Sequence, residues 1–96
     1  MAQATCKITA SALGISETDV IVASTGVIGM PFDNTPIRNG MRELVSGLGD
    51  NSQLAAEGIM TTDTRLKEIA VKFTVGGKEC KIGGIAKGSG MIHPNM

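Results

Sequence analysis

Four stretches of this 96-residue chain carry side chains able to do chemistry. The first is Ser24-Thr25-Gly26-Val27-Ile28-Gly29, which directly follows an apolar, β-branched run. Loops leaving strands are where α/β sheets place their ligands. A glycine there lets backbone N–H groups face a ligand, and a threonine hydroxyl adds another donor. Two donors aimed at one oxygen stabilise a developing oxyanion. Taken alone, the same residues also describe a strand-to-loop turn that needs a glycine.

The second stretch is Met60-Thr61-Thr62-Asp63-Thr64, three hydroxyls and a carboxylate after a helical pattern. It suits either a polar substrate or the capping and turning of the chain. The third is Gly83-Gly84-Ile85-Ala86-Lys87-Gly88-Ser89-Gly90. It invites a phosphate-loop reading, but that loop needs Gly-Lys-Ser/Thr opening a helix. Here Lys87 precedes Gly88 and no helical pattern follows. The fourth is His93, the one histidine of the chain. It lacks the partners of a metal site or a catalytic triad and reads as structural or exposed. Cys6 and Cys80 fit no metal spacing and read as reduced, buried small hydrophobes. No metal site is expected.

These residues must be positioned by a small number of elements. Residues 2–13 read as a helix with Ala2, Cys6, Thr9 and Leu13 at helical spacing and Gly14 as its stop. Asp19-Val20-Ile21-Val22-Ala23-Ser24 reads as a short buried strand. A second helix is predicted near Pro36, with Thr35 as N-cap and Ile37, Met41, Leu44 and Leu48 as its stripe. Gly49-Asp50-Asn51 should end it. Ser52 is then placed to cap a third helix carrying Leu54, Ala55, Gly58 and Ile59.

From Glu68 the period changes to two. Ile69, Val71, Phe73 and Val75 alternate with Ala70, Lys72 and Thr74, giving a half-buried strand. Gly76-Gly77 suits a two-residue hairpin turn, which sets Cys80 opposite Phe73 and Ile82 opposite Val71. The predicted order is α-β-α-α-β-β, an α/β layer incomplete on its own. No internal boundary appears, so residues 1–96 read as one partial domain with 87–96 as an extended tail.

Bulk properties narrow the function classes. Nine basic and nine acidic residues balance without a basic run, which argues against a nucleic-acid partner. No apolar stretch approaches the roughly 20 residues of a membrane span, and no signal-peptide pattern opens the chain. A cytoplasmic location is the expectation. With two Phe and no Trp or Tyr, the core must be built from smaller side chains.

Read in order, Val22-Ala23-Ser24-Thr25-Gly26-Val27-Ile28-Gly29, Ile59-Met60-Thr61-Thr62-Asp63-Thr64 and the stretch 83–96, ending Met91-Ile92-His93-Pro94-Asn95-Met96, resemble the ornithine acetyltransferase family. These are the glutamate N-acetyltransferases of the cyclic arginine pathway. The likeness runs over nearly the whole chain, and residues 30–53 are its least distinctive part. It implies the layered α-β-β-α fold of the self-cleaving ornithine acetyltransferase and aminopeptidase superfamily.

The resemblance further implies a precursor that cleaves itself at an Ala-Thr bond just beyond Met96. The freed threonine heads a beta chain and serves as its nucleophile, with its own α-amino group as base. The implied reaction is ping-pong: threonine takes acetyl from N-acetylornithine, and glutamate then accepts it. Thr25 and Gly26 match the family's oxyanion-hole pair, and Thr61 and Lys87 match its substrate-binding positions. The implied partners are the beta chain and the two substrates, in a hetero-tetramer of two alpha and two beta chains. No cofactor is implied, and acetyl-CoA as a second donor is left open. The family's N-terminal region and everything from the nucleophile onward lie outside these 96 residues, so the chain alone is expected to be inactive. Two other readings are kept: a self-cleaving aminopeptidase or amidase of the same fold, and a self-contained binding domain without activity.

Overall fold

The structure is a computed structural model and describes residues 1–89. Residues 90–96, with His93 and most of the expected tail, lie outside the described part. The chain divides by its internal contacts into two compact units, Met1–Leu48 and Gly49–Met96.

In the first unit, helix α1 spans Ala2–Leu13 and stops at Gly14, as its sequence predicts. Gly14 takes the left-handed conformation at φ 69° and donates its N–H to the Ala10 carbonyl, satisfying one of the open carbonyls of the last turn. A 3-10 turn, Glu17–Asp19, follows, with the Ser16 hydroxyl accepting from the Thr18 N–H. Helix α2 spans Thr35–Ser46 and packs on α1.

Three expectations about α2 are corrected. Asn34, not Thr35, is the N-cap of α2, and Pro36 falls one position later. The N-cap Asn34 makes no side-chain capping bond; instead the Asp33 carboxylate, two residues before Thr35, accepts the Thr35 N–H at 2.9 Å. The helix closes at Gly47 rather than at Gly49. On its inner face Ile37, Gly40, Met41 and Val45 are half-buried, while Leu44 and Leu48 are exposed. The seam therefore follows the i, i+4, i+8 row from Ile37. Facing it on α1 are buried Thr5 and Ala10 with half-buried Cys6 and Thr9, whereas Ala2 and Leu13 are exposed.

The strand expected over residues 19–24 is not formed. Val20 is extended, at φ −111° and ψ 122°, but among the described residues no strand pairs with this segment. Ile21 is 95% exposed, so a β-branched run that reads as core is open here. A strand is defined by its ladder, and composition supplies only one side of it.

In the second unit, helix α3 spans Ser52–Gly58, capped at Asn51 rather than Ser52. Ala56 is its buried residue, and Leu54 is exposed. Strands β1, Glu68–Val75, and β2, Lys78–Ile85, form an antiparallel hairpin. Phe73 faces Cys80 and Val71 faces Ile82, the predicted register. Gly76 and Gly77 have φ of 55° and 78°. Two successive positive φ values define the turn whose twist matches that of the strands.

On the polar face Lys72 lies opposite Lys81, and Glu79 sits within 3.7 Å of the first and 3.5 Å of the second. The acid separates two like charges that would otherwise repel. The apolar face, expected half-buried, is exposed along the whole of β1. The α/β class stands, with the order α1, 3-10 turn, α2, α3, β1, β2 in the described residues.

Candidate substrate-binding site

The hairpin register builds the site in the second unit. Pairing of Ile85 with Glu68 continues one step further, as the Ala86 N–H donates to the Lys67 carbonyl at 2.9 Å. Residues 87 and 88 therefore run back alongside the loop that leads into β1. That loop is folded around Asp63.

The Asp63 side chain is 0% exposed. Oδ1 accepts from Lys67 Nζ at 2.7 Å and from the Gly88 N–H. Oδ2 accepts from the Thr61 N–H at 3.3 Å and from Lys87 Nζ at 3.4 Å. A buried carboxylate is costly unless it is paired and its lone pairs are occupied, and here both conditions hold. The Lys67 ammonium holds this carboxyl well below the usual range, with further help from the Gly88 N–H; burial opposes the shift, and Thr61 N–H and Lys87 add smaller contributions. Gly88 is required by space: a Cβ there would sit 2.7 Å from Asp63 Oδ1.

Lys87 and Thr61, singled out separately in the sequence, meet here. Lys87 Nζ donates to Thr61 Oγ1 at 2.6 Å, across 26 residues of chain. It also reaches the Gly88 carbonyl at 3.3 Å. Because Thr61 Oγ1 accepts from the lysine, its own O–H is directed elsewhere and remains a donor. The pair thus offers a cation and a hydroxyl donor side by side. The Lys87 side chain is 42% exposed, so the cation is open to solvent.

Thr25 and Gly26 belong to the first unit. With Ser24, Met30, Phe32 and Asp33 they line an open cavity of about 420 Å³. The loop closes in a turn from Val27 to Met30, whose N–H donates to the Val27 carbonyl at 3.1 Å. Gly29, at φ 83°, takes the turn position that favours glycine. A Cβ on Gly26 would meet nothing within 4 Å, so its backbone is open to an incoming group. Asp33 at the rim has a lowered pKa, caused by its side-chain and backbone hydrogen bonds with Thr35.

Sequence reasoning missed Asp63 as a centre and missed Lys67 altogether. The only trace was the Asp63/Lys67 spacing of four, which outside a helix carries no geometric meaning. Both cysteines are free, and Cys6 Sγ donates to the Val20 carbonyl at 3.3 Å. Among the described residues no cluster of metal-ligating side chains is present, and no helix is long and apolar enough to cross a membrane.

Comparison with known proteins adds an independent line. A model of the ArgJ family matches residues 1–96. The arginine biosynthesis bifunctional protein ArgJ of Gloeobacter violaceus is 50% identical over 93 residues, covering 96% of this chain and 23% of the relative. The glutamate N-acetyltransferase of Methanocaldococcus jannaschii is 49% identical over 92 residues, covering 94% of this chain and 23% of that protein. The chain thus spans about a quarter of the length of these relatives. Among solved structures, the arginine biosynthesis bifunctional protein ArgJ of Bacillus halodurans superposes with a TM-score of 0.59 at 39% identity, over 97% of this chain and 49% of that one.

Proposed function

Since the chain belongs to the ArgJ family, we propose that it is part of a glutamate N-acetyltransferase of arginine biosynthesis, working with a beta chain headed by the nucleophilic threonine. In this reading the threonine oxygen attacks the acetyl carbonyl of N-acetylornithine. The C–N bond breaks, ornithine leaves with the proton on its amine, and an acetyl-threonine ester remains. The amine of glutamate then attacks the ester, and the threonine recovers its proton. Thr25 and Gly26 face the carbonyl oxygen in both halves of the reaction, where negative charge develops. Thr61 and Lys87 hold the polar groups of the amino-acid substrates.

The observation that carries the reading is the junction of Lys87 with Thr61. Two residues that the family resemblance assigns to the substrate fall within one hydrogen bond of each other. A lysine ammonium suits a substrate carboxylate as a compact point charge. The two-alpha, two-beta assembly, the cytoplasmic location and acetyl-CoA as a further donor belong to this proposal as its outer parts.

The test uses the full-length protein with its second chain. Incubation with N-acetylornithine should give ornithine and a mass gain of one acetyl group on the chain that begins with threonine. Addition of glutamate should discharge it. Release of amino acids from peptides or amides, without acetyl transfer, would instead favour the self-cleaving aminopeptidase reading.

A further inference from the structure

Asp63 makes more connections than any role in the reaction above requires. Its carboxylate is fully buried and accepts from four donors: Thr61 N–H and Lys67 Nζ in its own loop before β1, and Lys87 Nζ and the Gly88 N–H in the segment after β2, so the last two link the two segments. The two lysines it meets are not equivalent. Lys67 lies at 2.7 Å, and its ammonium also donates to the Arg65 carbonyl at 2.8 Å. Lys87 approaches the other oxygen only at 3.4 Å. One negative charge thus faces two positive ones, and the shorter contact pairs it with Lys67. Lys87 makes the longer of the two ion pairs, and the three groups together keep one net positive charge.

We propose that Asp63 is the positioning residue of this site: it fixes Lys87 against Thr61 while Lys67 makes the shorter ion pair, so that Lys87 presents a directed cation, in a trio of one net positive charge, to a substrate carboxylate. The proposal rests on Lys87 being a substrate ligand. The Gly88 N–H, held on Oδ1, anchors the backbone next to Lys87, so the lysine is oriented at both its root and its tip. An asparagine at position 63 keeps the size but loses the charge and half of the accepting capacity. It would leave Lys67 and Lys87 repelling each other over one neutral group.

The test is steady-state kinetics on the full-length, processed protein, with N-acetylornithine as donor and glutamate as acceptor. Asp63→Asn should raise KM about tenfold or more, with kcat per active site altered much less, the pattern of lost ground-state positioning. In combination with Lys87→Ala, Asp63→Asn should add little, because both act through one ammonium. A purely structural Asp63 would instead lower the folded fraction and melting temperature and leave KM unchanged, and that result overturns the proposal. Effects of the two substitutions that multiply independently overturn it as well. If Lys87→Ala itself leaves KM unchanged, the assignment of Lys87 to the substrate fails. Should Asp63→Asn not fold, Gly88→Ala applies the same test by pressing on Asp63 Oδ1. It must raise KM in the same direction, and an unchanged KM there counts against the proposal.

Discussion

Thr5 Oγ1 donates to Asn34 Oδ1 at 3.2 Å, tying the buried face of α1 to the residue that caps α2. It is a polar link in a unit whose described core holds few buried side chains. Thr5→Val keeps the shape and removes the donor, leaving Asn34 Oδ1 to find water. Thermal or denaturant unfolding of the full-length protein should show a loss of about 1 kcal/mol. Asn34→Ala should remove the same interaction, so the double variant should cost less than the two singles together.

The hairpin turn makes a sharper demand. Gly77 has φ 78°, a region where a Cβ costs about 1–2 kcal/mol and where asparagine is better tolerated than alanine. Gly77→Ala should therefore destabilise by about 1 kcal/mol or more, and Gly77→Asn by less. Melting temperatures in the reverse order would mean that the turn is not of this type.

Thr25 allows a kinetic forecast. If its side-chain hydroxyl faces the developing oxyanion, Thr25→Ala in the full-length enzyme should lower kcat by about 100- to 1000-fold, the usual effect of losing one such donor; a donor supplied by the Thr25 backbone N–H would survive the substitution. KM should change little, because the interaction strengthens only in the transition state. A variant with altered KM and unchanged kcat would move Thr25 from the oxyanion to the ground-state substrate.

Acid should act on Asp63 in one direction. Its folded pKa lies below that of the unfolded chain, which is about 3.9 for aspartate. The unfolded state therefore takes up its proton first as pH falls. The stability this group supplies is complete above about pH 4 and is lost progressively below it. Melting temperatures of wild type measured downward from pH 5 should fall more steeply than those of Asp63→Asn. Equal slopes would show that the carboxylate is not held by Lys67 and the Gly88 N–H.

What could be read beforehand was what depends on neighbours close in the chain. The end of α1 at Gly14 and the pairing of Phe73 with Cys80 follow from local conformation and a two-residue period. The strand expected through Ile21 failed because pairing needs a distant partner that no local pattern reports. The seam of α2 was half legible: Ile37 and Met41 were placed, but the choice of Val45 over Leu44 depends on where α1 lies. At the site, Thr61 and Lys87 came from resemblance, and their contact from the hairpin register. Asp63 was hidden because an aspartate among threonines reads as a turn, and its burial arises only when residue 88 returns beside it.

The hairpin has a consequence for amide exchange. Within the described residues β1 and β2 each have a single neighbour. Along an antiparallel pair, successive N–H groups point alternately toward the partner and away from it. Deuterium uptake along Glu68–Val75 should thus be slow and fast at every other residue in a two-stranded ribbon. Where further strands complete the sheet, the fast positions become slow and the alternation disappears. The spacing of protected amides in one eight-residue segment therefore counts how many strands flank it.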